Sequence, residues 1–415
     1  MGASLEQLIM AHEHGFTLAR SFYFQDAVYQ ADMNAVFRCD WLLVDHFSRI
    51  PKVGDYFLFP IANEEIIIVR SAEDRISAYY NVCRHRGSRI CSDAEGHKKL
   101  FVCPYHAWSY TVDGKLRKPR FMSDDFEPEN YSLHSCHVRE FHGLIFINLS
   151  AGAPPSFDKA YGQFAEALKF HGLDRAKIAY ARSYPTKSNW KLVVENFLEC
   201  YHCLVAHPEL SSARAKESLV AFGSGPGSGD RDATAFSDDQ RKFLERAAAL
   251  GHTLDDLEDS FGSSQFRQIG RAFIKEGSVT ETMDGEPAST LMGDLKDWDG
   301  GITTLTFNPA SYLYCFNDFA VIFRFTPRNM LETDVELRWI VDENAAEGID
   351  YNMDHLTGVL DPTLWQDKVL LERNQAGISS DHYVPGPLSM AENLVVRFHD
   401  WYFNRLADRP QEGQA

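Results

Sequence analysis

Residues 81–106, NVCRHRGSRICSDAEGHKKLFVCPYH, contain two short pairs of cysteine and histidine at a spacing typical of a metal centre. His85 follows Cys83 after one residue, and His106 follows Cys103 after two. Each pair offers one thiolate and one imidazole, which fits a [2Fe-2S] cluster with cysteines on one iron and histidines on the other. A tetrahedral zinc bound by the same four side chains is the alternative.

The residues around these four candidate ligands resemble the corresponding residues of a known family. CRHRG at residues 83–87 and CPYHAW at residues 103–108 resemble the two cluster loops of the Rieske iron-sulfur domain. Neutral imidazoles donate less charge than thiolates, so such a cluster has a potential of roughly −150 to +300 mV and relays single electrons.

Composition excludes several classes of protein. With 44% hydrophobic and 24% charged residues over 415 positions, the chain is typical of a globular protein with room for two domains. A net charge of −18 argues against nucleic-acid binding, which needs clustered lysine and arginine. No apolar run approaches the roughly 20 residues of a membrane span, and the first residues do not resemble a signal peptide, so we expect a cytoplasmic location without membrane contact.

Cysteine usage fits a reducing compartment. Beyond the two cluster cysteines, we expect the remaining six to be buried thiols rather than disulfides: Cys39, Cys91, Cys136, Cys200, Cys203 and Cys315.

Periodicity divides the chain into three parts. Residues 1–44 predict an N-terminal arm that packs on the rest, and residues 45–150 alternate like the strands of a small antiparallel β domain. Residues 151–415 predict a second domain that opens with one helix over residues 156–172 and later returns to strands. A glycine-rich segment at residues 222–230 lacks the GK[ST] of a phosphate-binding loop and is interpreted as a mobile loop or a connector.

A second candidate metal site lies in residues 189–210, NWKLVVENFLECYHCLVAHPEL. On a helical background, the spacing of His202 and His207 returns both imidazoles toward one face. Two histidines and one carboxylate on one face would bind a mononuclear iron with positions left open for oxygen chemistry. Zinc bound by these histidines together with Cys200 and Cys203 is a weaker alternative, because adjacent helix residues point in different directions.

The carboxylate is expected from residues 361–377, DPTLWQDKVLLERNQAG. Asp361 precedes a proline and is interpreted as a helix N-cap. Asp367 falls inside the helix near apolar residues, where a carboxylate would be costly unless it bound a cation, so we prefer it as the ligand. The alternative for Asp367 is a solvated position beside Lys368 or Arg373.

With these motifs, nearly the whole chain resembles the large (α) subunit of a Rieske non-haem iron oxygenase. The resemblance implies an α+β fold: an antiparallel β Rieske domain followed by a helix-grip, START-like catalytic domain with an antiparallel sheet and helices. It also implies a mononuclear Fe(II) and a head-to-tail homotrimer. Electrons from NAD(P)H would arrive through a separate flavin (FAD or FMN) and iron-sulfur reductase, and O2 would supply the inserted oxygen.

Glu199 brings the chain nearest to the family members that act on quaternary ammonium compounds: choline, glycine betaine, carnitine and stachydrine. Many other members hold an aspartate at this position. The resemblance implies that Glu199 bridges His202 to the His106 of a neighbouring subunit, and the alternative is a solvated carboxylate on a helix face. Five aromatic residues are candidates for a cation cage or for ordinary sheet core: Tyr312, Tyr314, Phe316, Phe323 and Phe325.

The sequence therefore predicts an oxygenase component that hydroxylates or N-demethylates a small substrate, most consistently a quaternary ammonium compound. An aromatic-ring-hydroxylating dioxygenase α subunit is the alternative enzyme. A Rieske electron carrier without catalytic activity is the alternative of another class.

Overall fold

The computed structural model describes residues 3–216, 219, 238–252 and 266–407, so the glycine-rich segment at residues 222–230 lies outside the described residues. The predicted α+β class is confirmed: antiparallel strands form four sheets, and helices pack against them. In the described residues, no helix is both long and apolar enough to cross a bilayer. The domain boundaries near residues 44 and 150 stay a prediction.

The helices fall into an N-terminal group, a group around residues 157–213, one isolated helix and a C-terminal group. They are α1 (Leu5–Met10), α2 (Ser21–Phe24), α3 (Asp26–Asp32), α4 (Phe157–Tyr161), α5 (Ala165–Phe170), α6 (Trp190–Phe197), α7 (Cys203–Ala206), α8 (Pro208–Ala213), α9 (Asp238–Leu250), α10 (Met353–Thr357), α11 (Leu360–Ile378) and α12 (Asn393–Ala407).

The strands belong to two regions of the chain, residues 42–148 and residues 176–342. The first region contains β1 (Leu42–His46), β2 (Asp55–Ile61), β3 (Glu64–Ala72), β4 (Arg75–Tyr80), β5 (Glu95–His97), β6 (Leu100–Val102), β7 (Ser109–Thr111), β8 (Leu116–Lys118), β9 (His137–Phe141) and β10 (Leu144–Asn148). The second contains β11 (Ala176–Thr186), β12 (Gln268–Phe273), β13 (Gly301–Asn308), β14 (Ser311–Cys315), β15 (Ala320–Asn329) and β16 (Glu332–Asp342).

Strand β3 explains how the first region attaches to the second. Its side chains alternate between the two faces of the sheet. Ile66 and Ile68 enter the main core of the molecule, whereas Ile67 and Val69 enter a separate core around Cys83. Because both faces of β3 are buried, its sequence is a continuous apolar run rather than an alternating one. The residues around Cys83 therefore have their own core, and β3 contributes side chains both to this core and to the main core of the molecule.

The second region is built on a six-stranded antiparallel sheet with the order β11-β16-β15-β14-β13-β12. Both faces of this sheet are buried. On one face, aromatic side chains of β14 and β15 meet α6, and α11 packs on β11, α6 and α8. The other face packs on α4, α5 and strands β1 and β10. Helices against a long antiparallel sheet match the predicted helix-grip arrangement.

The helix expected over residues 156–172 is interrupted, because it consists of α4 and α5 separated by a 3-10 turn, Gly162–Phe164. Strands β6 and β7 are separated by a tight loop. Before α12, the carboxylate of Glu392 accepts a hydrogen bond from the backbone N–H of Ser389.

Buried ion pairs connect the two regions. Asp45 of β1 pairs with Arg338 of β16 and with Arg49. These arginines outweigh the effect of burial and hold the pKa of Asp45 well below its usual range. Arg324 of β15 pairs with Glu336 and lies over the ring of Phe59 in β2, 5.0 Å from the ring centre. Asp45 in the first region is thus stabilised by Arg338 of the second region, and Arg324 of the second region packs on a ring of the first.

A second buried network joins the N-terminal arm to the body. The carboxylate of Asp32, at the end of α3, accepts hydrogen bonds from Lys191 Nζ, Trp190 Nε1 (3.0 Å) and Tyr402 Oη (2.5 Å). Both Asp32 and Lys191 are fully buried, and burial lowers the pKa of Lys191. Since Lys191 lies on α6, this network fixes the helix that leads to His202.

Substituting Asp32 should therefore destabilise the protein strongly. In Asp32→Asn the ammonium of Lys191 stays buried without a counter-charge, and we expect the free energy of unfolding to fall by about 3–5 kcal/mol, measured by urea denaturation. The double variant Asp32→Asn/Lys191→Met removes both charges and should recover much of this loss. Equal stability of the single and double variants would contradict the interpretation.

Candidate active site

The two predicted cluster loops have the same backbone conformation. The N–H of Cys83 donates to the carbonyl of Ser88, and the N–H of Cys103 donates in the same way to Trp108. In each loop the residue four positions after the cysteine, Gly87 or Ala107, donates back to the cysteine carbonyl and has a positive φ. Alanine rarely adopts this left-handed conformation, so the second loop is held by its surroundings rather than by local preference.

The side chains of these loops face in two directions. Cys83 and Cys103 are buried and lie close to each other, and Cys83 Sγ lies 3.3 Å from Tyr110 Oη. His85 and His106 lie nearer the surface with ring centres 4.6 Å apart, and His85 stacks on Trp108. Two inner sulfurs and two outer imidazoles are the donor set and the asymmetry that a Rieske cluster requires, so the residues present fit this group.

The second candidate site departs from the predicted continuous helix. Helix α6 ends at Phe197, and an irregular turn leads to the single helical turn α7. His202 is the residue before α7, and His207 is the residue after it. The two histidines are therefore brought together by one helical turn and its flanks, and not by the face of a long helix.

Asp367 of α11 completes this site. Its Oδ1 lies 3.1 Å from His207 Nε2 and 3.3 Å from His202 Nε2. The three side chains come from two segments separated by more than 150 residues in sequence. The structure thus brings together the three residues that the sequence predicted as a facial triad of two histidines and one carboxylate.

Hydrogen bonds on the far side of each imidazole define its tautomer. His202 Nδ1 donates to Glu199 Oε1, and His207 Nδ1 donates to Gln366 Oε1 at 2.9 Å, because these oxygens only accept. In their neutral forms, both imidazoles therefore present the lone pair of Nε2 toward Asp367. Outer partners of this kind orient metal-binding histidines and raise their basicity.

The resulting centre has the properties of a cation site. Within the described residues, the buried atoms His207 Nε2 and Asp367 Oδ1 have no hydrogen-bond partner. Burial lowers the pKa of His202, but the carboxylates of Asp367 and Glu199 reverse this effect and raise the pKa to about 9. Burial also raises the pKa of Asp367, whereas the two imidazoles lower it by a larger amount. Three lone-pair donors around one point fit a mononuclear iron.

The structure corrects the expectation for two cysteines. Cys200 and Cys203 form a disulfide instead of remaining thiols. Cys203 Sγ lies within 4.8 Å of a nitrogen of His202 and of His207, so adjacent residues do come together here, contrary to the directional argument against a zinc site. The disulfide nevertheless removes both thiolates as ligands, which leaves Asp367 as the anionic partner of the histidines.

Asp361 has a different structural role from the one predicted. Helix α11 begins at Leu360 with Val359 as its N-cap, so Asp361 is not the cap. Its carboxylate instead pairs with Arg182 (2.5 Å) and accepts a hydrogen bond from Tyr184, both on β11. Asp361 therefore links α11 to strand β11, and its carboxylate binds these residues instead of His202 or His207.

Glu199 lies in the irregular turn, and the alternative of a solvated carboxylate on a helix face is wrong. One carboxylate oxygen accepts from His202 Nδ1, and the other accepts from the backbone N–H of Tyr201. Only 12% of its side chain is exposed. Within its own chain, Glu199 orients His202.

A small, partly open cavity of about 50 Å³ lies beside the three candidate ligands. Its wall includes the mutually tilted aromatic rings of Phe197, Tyr314 and Phe323, with ring centres 4.8–5.9 Å apart. The other lining residues are Asn196, Glu199, Cys200, His202, Cys203, His207, Leu210, Arg214, Leu360, Thr363, Leu364 and Asp367.

Sequence reasoning missed several residues of this site. Gln366 accepts from His207 and donates to Glu209 at 2.7 Å, and its only sequence signal was its position next to Asp367. Asn196 Nδ2 lies 3.2 Å from His202 Nε2, to which it donates a hydrogen bond. Neither residue type is a usual metal ligand, so a search for ligand patterns passes over both.

Comparison with known families identifies the class of the protein. Residues 40–132 match the Rieske [2Fe-2S] domain, and residues 173–408 match the catalytic domain of the ring-hydroxylating α subunit. The chain belongs to the Rieske oxygenases of the ring-hydroxylating α subunit family, and it is therefore an enzyme. The electron-carrier alternative is wrong. The family implies the [2Fe-2S] cluster in place of zinc, a mononuclear iron and a reductase that supplies electrons.

Individual proteins with known names are also similar to this chain. The chain is 34% identical to the glycine betaine monooxygenase oxygenase subunit of Pseudomonas aeruginosa over 414 residues, which cover 98% of this chain and 93% of the relative. It is also 34% identical to the carnitine monooxygenase oxygenase subunit of Acinetobacter pittii, over 46% of this chain and 53% of that relative.

Solved structures share the fold. A quaternary ammonium Rieske monooxygenase has a TM-score of 0.70 at 21% identity, covering 98% of this chain and 99% of its own. Naphthalene 1,2-dioxygenase from a Rhodococcus species has a TM-score of 0.65 at 17% identity, covering 95% of both chains. At these identities the likeness establishes the architecture and leaves the substrate open.

The assignment of Asp367 predicts a selective loss of metal. Asp367→Ala should lose the mononuclear iron, because two neutral imidazoles bind it weakly, while the visible absorption of the cluster stays unchanged. Iron analysis should fall from three to two atoms per chain. Asp361→Ala is the matched control on the same helix and should keep all three. Full iron content in Asp367→Ala would transfer the ligand role to another residue.

Proposed function

We propose that the protein is the oxygenase component of a system that hydroxylates or N-demethylates a small quaternary ammonium compound. The observation that carries the proposal is the convergence of His202, His207 and Asp367 beside a cavity with an aromatic wall. In this proposal Cys83, His85, Cys103 and His106 hold the cluster. When bound, the cluster supplies single electrons and the iron binds O2.

Three features of the cavity suit a cation of this kind. The rings of Phe197, Tyr314 and Phe323 line the cavity, and a ring whose face meets a cation contributes about 0.5–2 kcal/mol to its binding. The carboxylates of Asp367 and Glu199 would offset the two positive charges of a bound Fe(II), so that the metal would not repel the cation. Apolar walls also exclude water from the methyl groups, whereas an uncharged arene would gain no cation–π attraction.

The relatives support the same substrate class. The relative that matches almost the full chain is named for glycine betaine, and a second relative is named for carnitine. The chlorobenzene dioxygenase α subunit of a Cupriavidus species is 33% identical over 43% of this chain, whereas the glycine betaine relative matches 98% of it. The aromatic-ring dioxygenase alternative is therefore less well supported.

This proposal can be tested with substrates. With a suitable reductase and NADH, a trimethylammonium compound such as glycine betaine should stimulate oxygen uptake and yield formaldehyde or a hydroxylated product. Naphthalene and benzoate should not, because they lack the charge that the cavity favours. Conversion of an uncharged arene to a cis-diol would contradict the proposal.

We further propose that the active unit spans two chains of a head-to-tail homotrimer. Large apolar side chains are exposed near both centres: Tyr105, Val82 and Val102 near the cluster, and Tyr201, Val205 and Trp365 near the histidines. Exposed apolar residues of this kind mark surfaces that another chain covers. Glu199 would accept a hydrogen bond from its own His202 and another from His106 of the neighbouring copy. A cytoplasmic location and a flavin and iron-sulfur reductase as partner also remain predictions.

Mixed trimers test the role of Glu199. Cys83→Ser removes the cluster and His202→Ala removes the mononuclear iron, so each homotrimer should be inactive. Co-expressed mixed trimers should regain a fraction of wild-type activity, because some junctions pair an intact cluster with an intact iron.

The control places Glu199→Gln in the Cys83→Ser chain, which supplies the working iron. This change should abolish the rescue while the iron content stays constant. Mixed trimers with verified metal content and no activity would favour electron transfer within one chain.

A further inference from the structure

Arg214 is a buried cation in the wall of the proposed substrate cavity. It follows helix α8, and 7% of the residue is exposed. Its Nε donates to Glu281, which is itself buried. The guanidinium also lies against the ring of Tyr314, with Cζ 5.5 Å from the ring centre. Arg214 and Tyr314 both line the cavity, whereas Glu281 lies behind them.

The hydrogen bonds of this ion pair are incomplete. Within the described part of the chain, Nε is the only guanidinium nitrogen of Arg214 with a hydrogen-bond partner, and Glu281 Oε1 has none. A guanidinium carries five N–H donors, and burying them without acceptors is costly. Arg214 therefore retains donor capacity on the side of the cavity.

The charges around the cavity have opposite signs at two places. The carboxylates of Asp367 and Glu199 lie at the candidate iron ligands, and the guanidinium of Arg214 lies elsewhere on the wall. Tyr314 contacts both Arg214 and Phe323, with 4.8 Å between the centres of the two aromatic rings. Because a bound Fe(II) would offset the two carboxylates, a simple cation would be attracted by the rings alone and repelled by Arg214. A zwitterion would be favoured at both ends, its ammonium group by the rings and its carboxylate by Arg214.

We propose that Arg214 binds the carboxylate of the substrate and so selects a zwitterionic trimethylammonium acid over the corresponding alcohol. This inference rests on the proposed function and names the chemical class of its substrate. Glu281 holds the guanidinium in place through Nε and leaves the terminal nitrogens for the ligand. Tyr314 and Phe323 then lie beside the ammonium group, and a methyl group points toward His202 and Asp367.

A purely structural ion pair is the competing explanation. Arg214 and Glu281 join α8 to the segment before β13, and their loss could disturb the cavity without any contact to the ligand. A structural role would weaken the binding of acid and alcohol together. A direct role would change the two affinities in opposite directions, because the acid loses its partner while the alcohol loses a repelling charge.

Glycine betaine and choline are matched probes, since both carry a trimethylammonium group and differ in the carboxylate. Their dissociation constants are measured by calorimetry on the iron-loaded protein without O2 or reductase, so that binding is separated from turnover. In Arg214→Gln the affinity for glycine betaine should fall by at least about 30-fold, the usual effect of a lost hydrogen-bonded charge. The affinity for choline should rise, because the carboxylate of Glu281 is left without its counter-ion.

Glu281→Gln should act in the opposite sense. Removing the anion leaves Arg214 with a full positive charge, so glycine betaine should bind as well as or better than it does to the wild type, and choline more weakly. The double variant Arg214→Gln/Glu281→Gln carries no uncompensated buried charge, which keeps the test valid where a single variant fails to fold. It should lose most of the preference for glycine betaine.

Arg271→Gln is the matched control. Arg271 also pairs with a buried carboxylate, that of Asp299, but it does not line the cavity. This variant should leave the ratio of the two dissociation constants unchanged. Equal loss of both ligands in Arg214→Gln would overturn the assignment of Arg214 and leave the proposed function intact. If the wild-type protein bound neither probe, the proposed function would fail, and the role of Arg214 would fail with it.

Discussion

The buried carboxylate of Asp367, placed in the middle of α11 opposite two imidazole lone pairs, is the constraint on which the catalytic region depends. A carboxylate in this position is costly unless a cation or hydrogen-bond donors compensate it. Its neighbours His202 and His207 already donate their protons elsewhere, to Glu199 and Gln366. The arrangement therefore fits a bound metal, and the packing of α11 on α6, α8 and β11 fixes the carboxylate at that point.

The sequence identified candidate ligands that the structure brings together, because the spacing within each motif is set by short-range chemistry. The two cluster loops are local motifs, and His202 and His207 are only five residues apart. Asp367 lies far away in the chain, and it was found by a different argument, the cost of an unpaired carboxylate inside an apolar helix. That argument works only for groups whose burial has a large energetic penalty.

Other features were beyond sequence reasoning for definite physical reasons. The end of α6 at Phe197 is a tertiary effect that the helical periodicity of the segment hides. The disulfide between Cys200 and Cys203 needs a turn that a continuous helix would not supply. The aromatic residues of β14 and β15 alternate as expected, and their shared face was predictable. Tyr314 and Phe323 nevertheless line the cavity and Tyr312 and Phe325 do not, although all four rings contact Phe197. The packing of the helices on the sheet decides which residues of a strand reach the cavity.

The buried ion pairs between the two regions determine how the protein can move. Separating Asp45 from Arg338 would leave both charges in an environment of low dielectric constant, at a cost of several kcal/mol. Hinge bending between the regions is therefore suppressed, and the cluster region and the catalytic region of one chain behave as a single rigid body. Consequently, the separation between the two candidate metal sites of one chain is set when that chain folds.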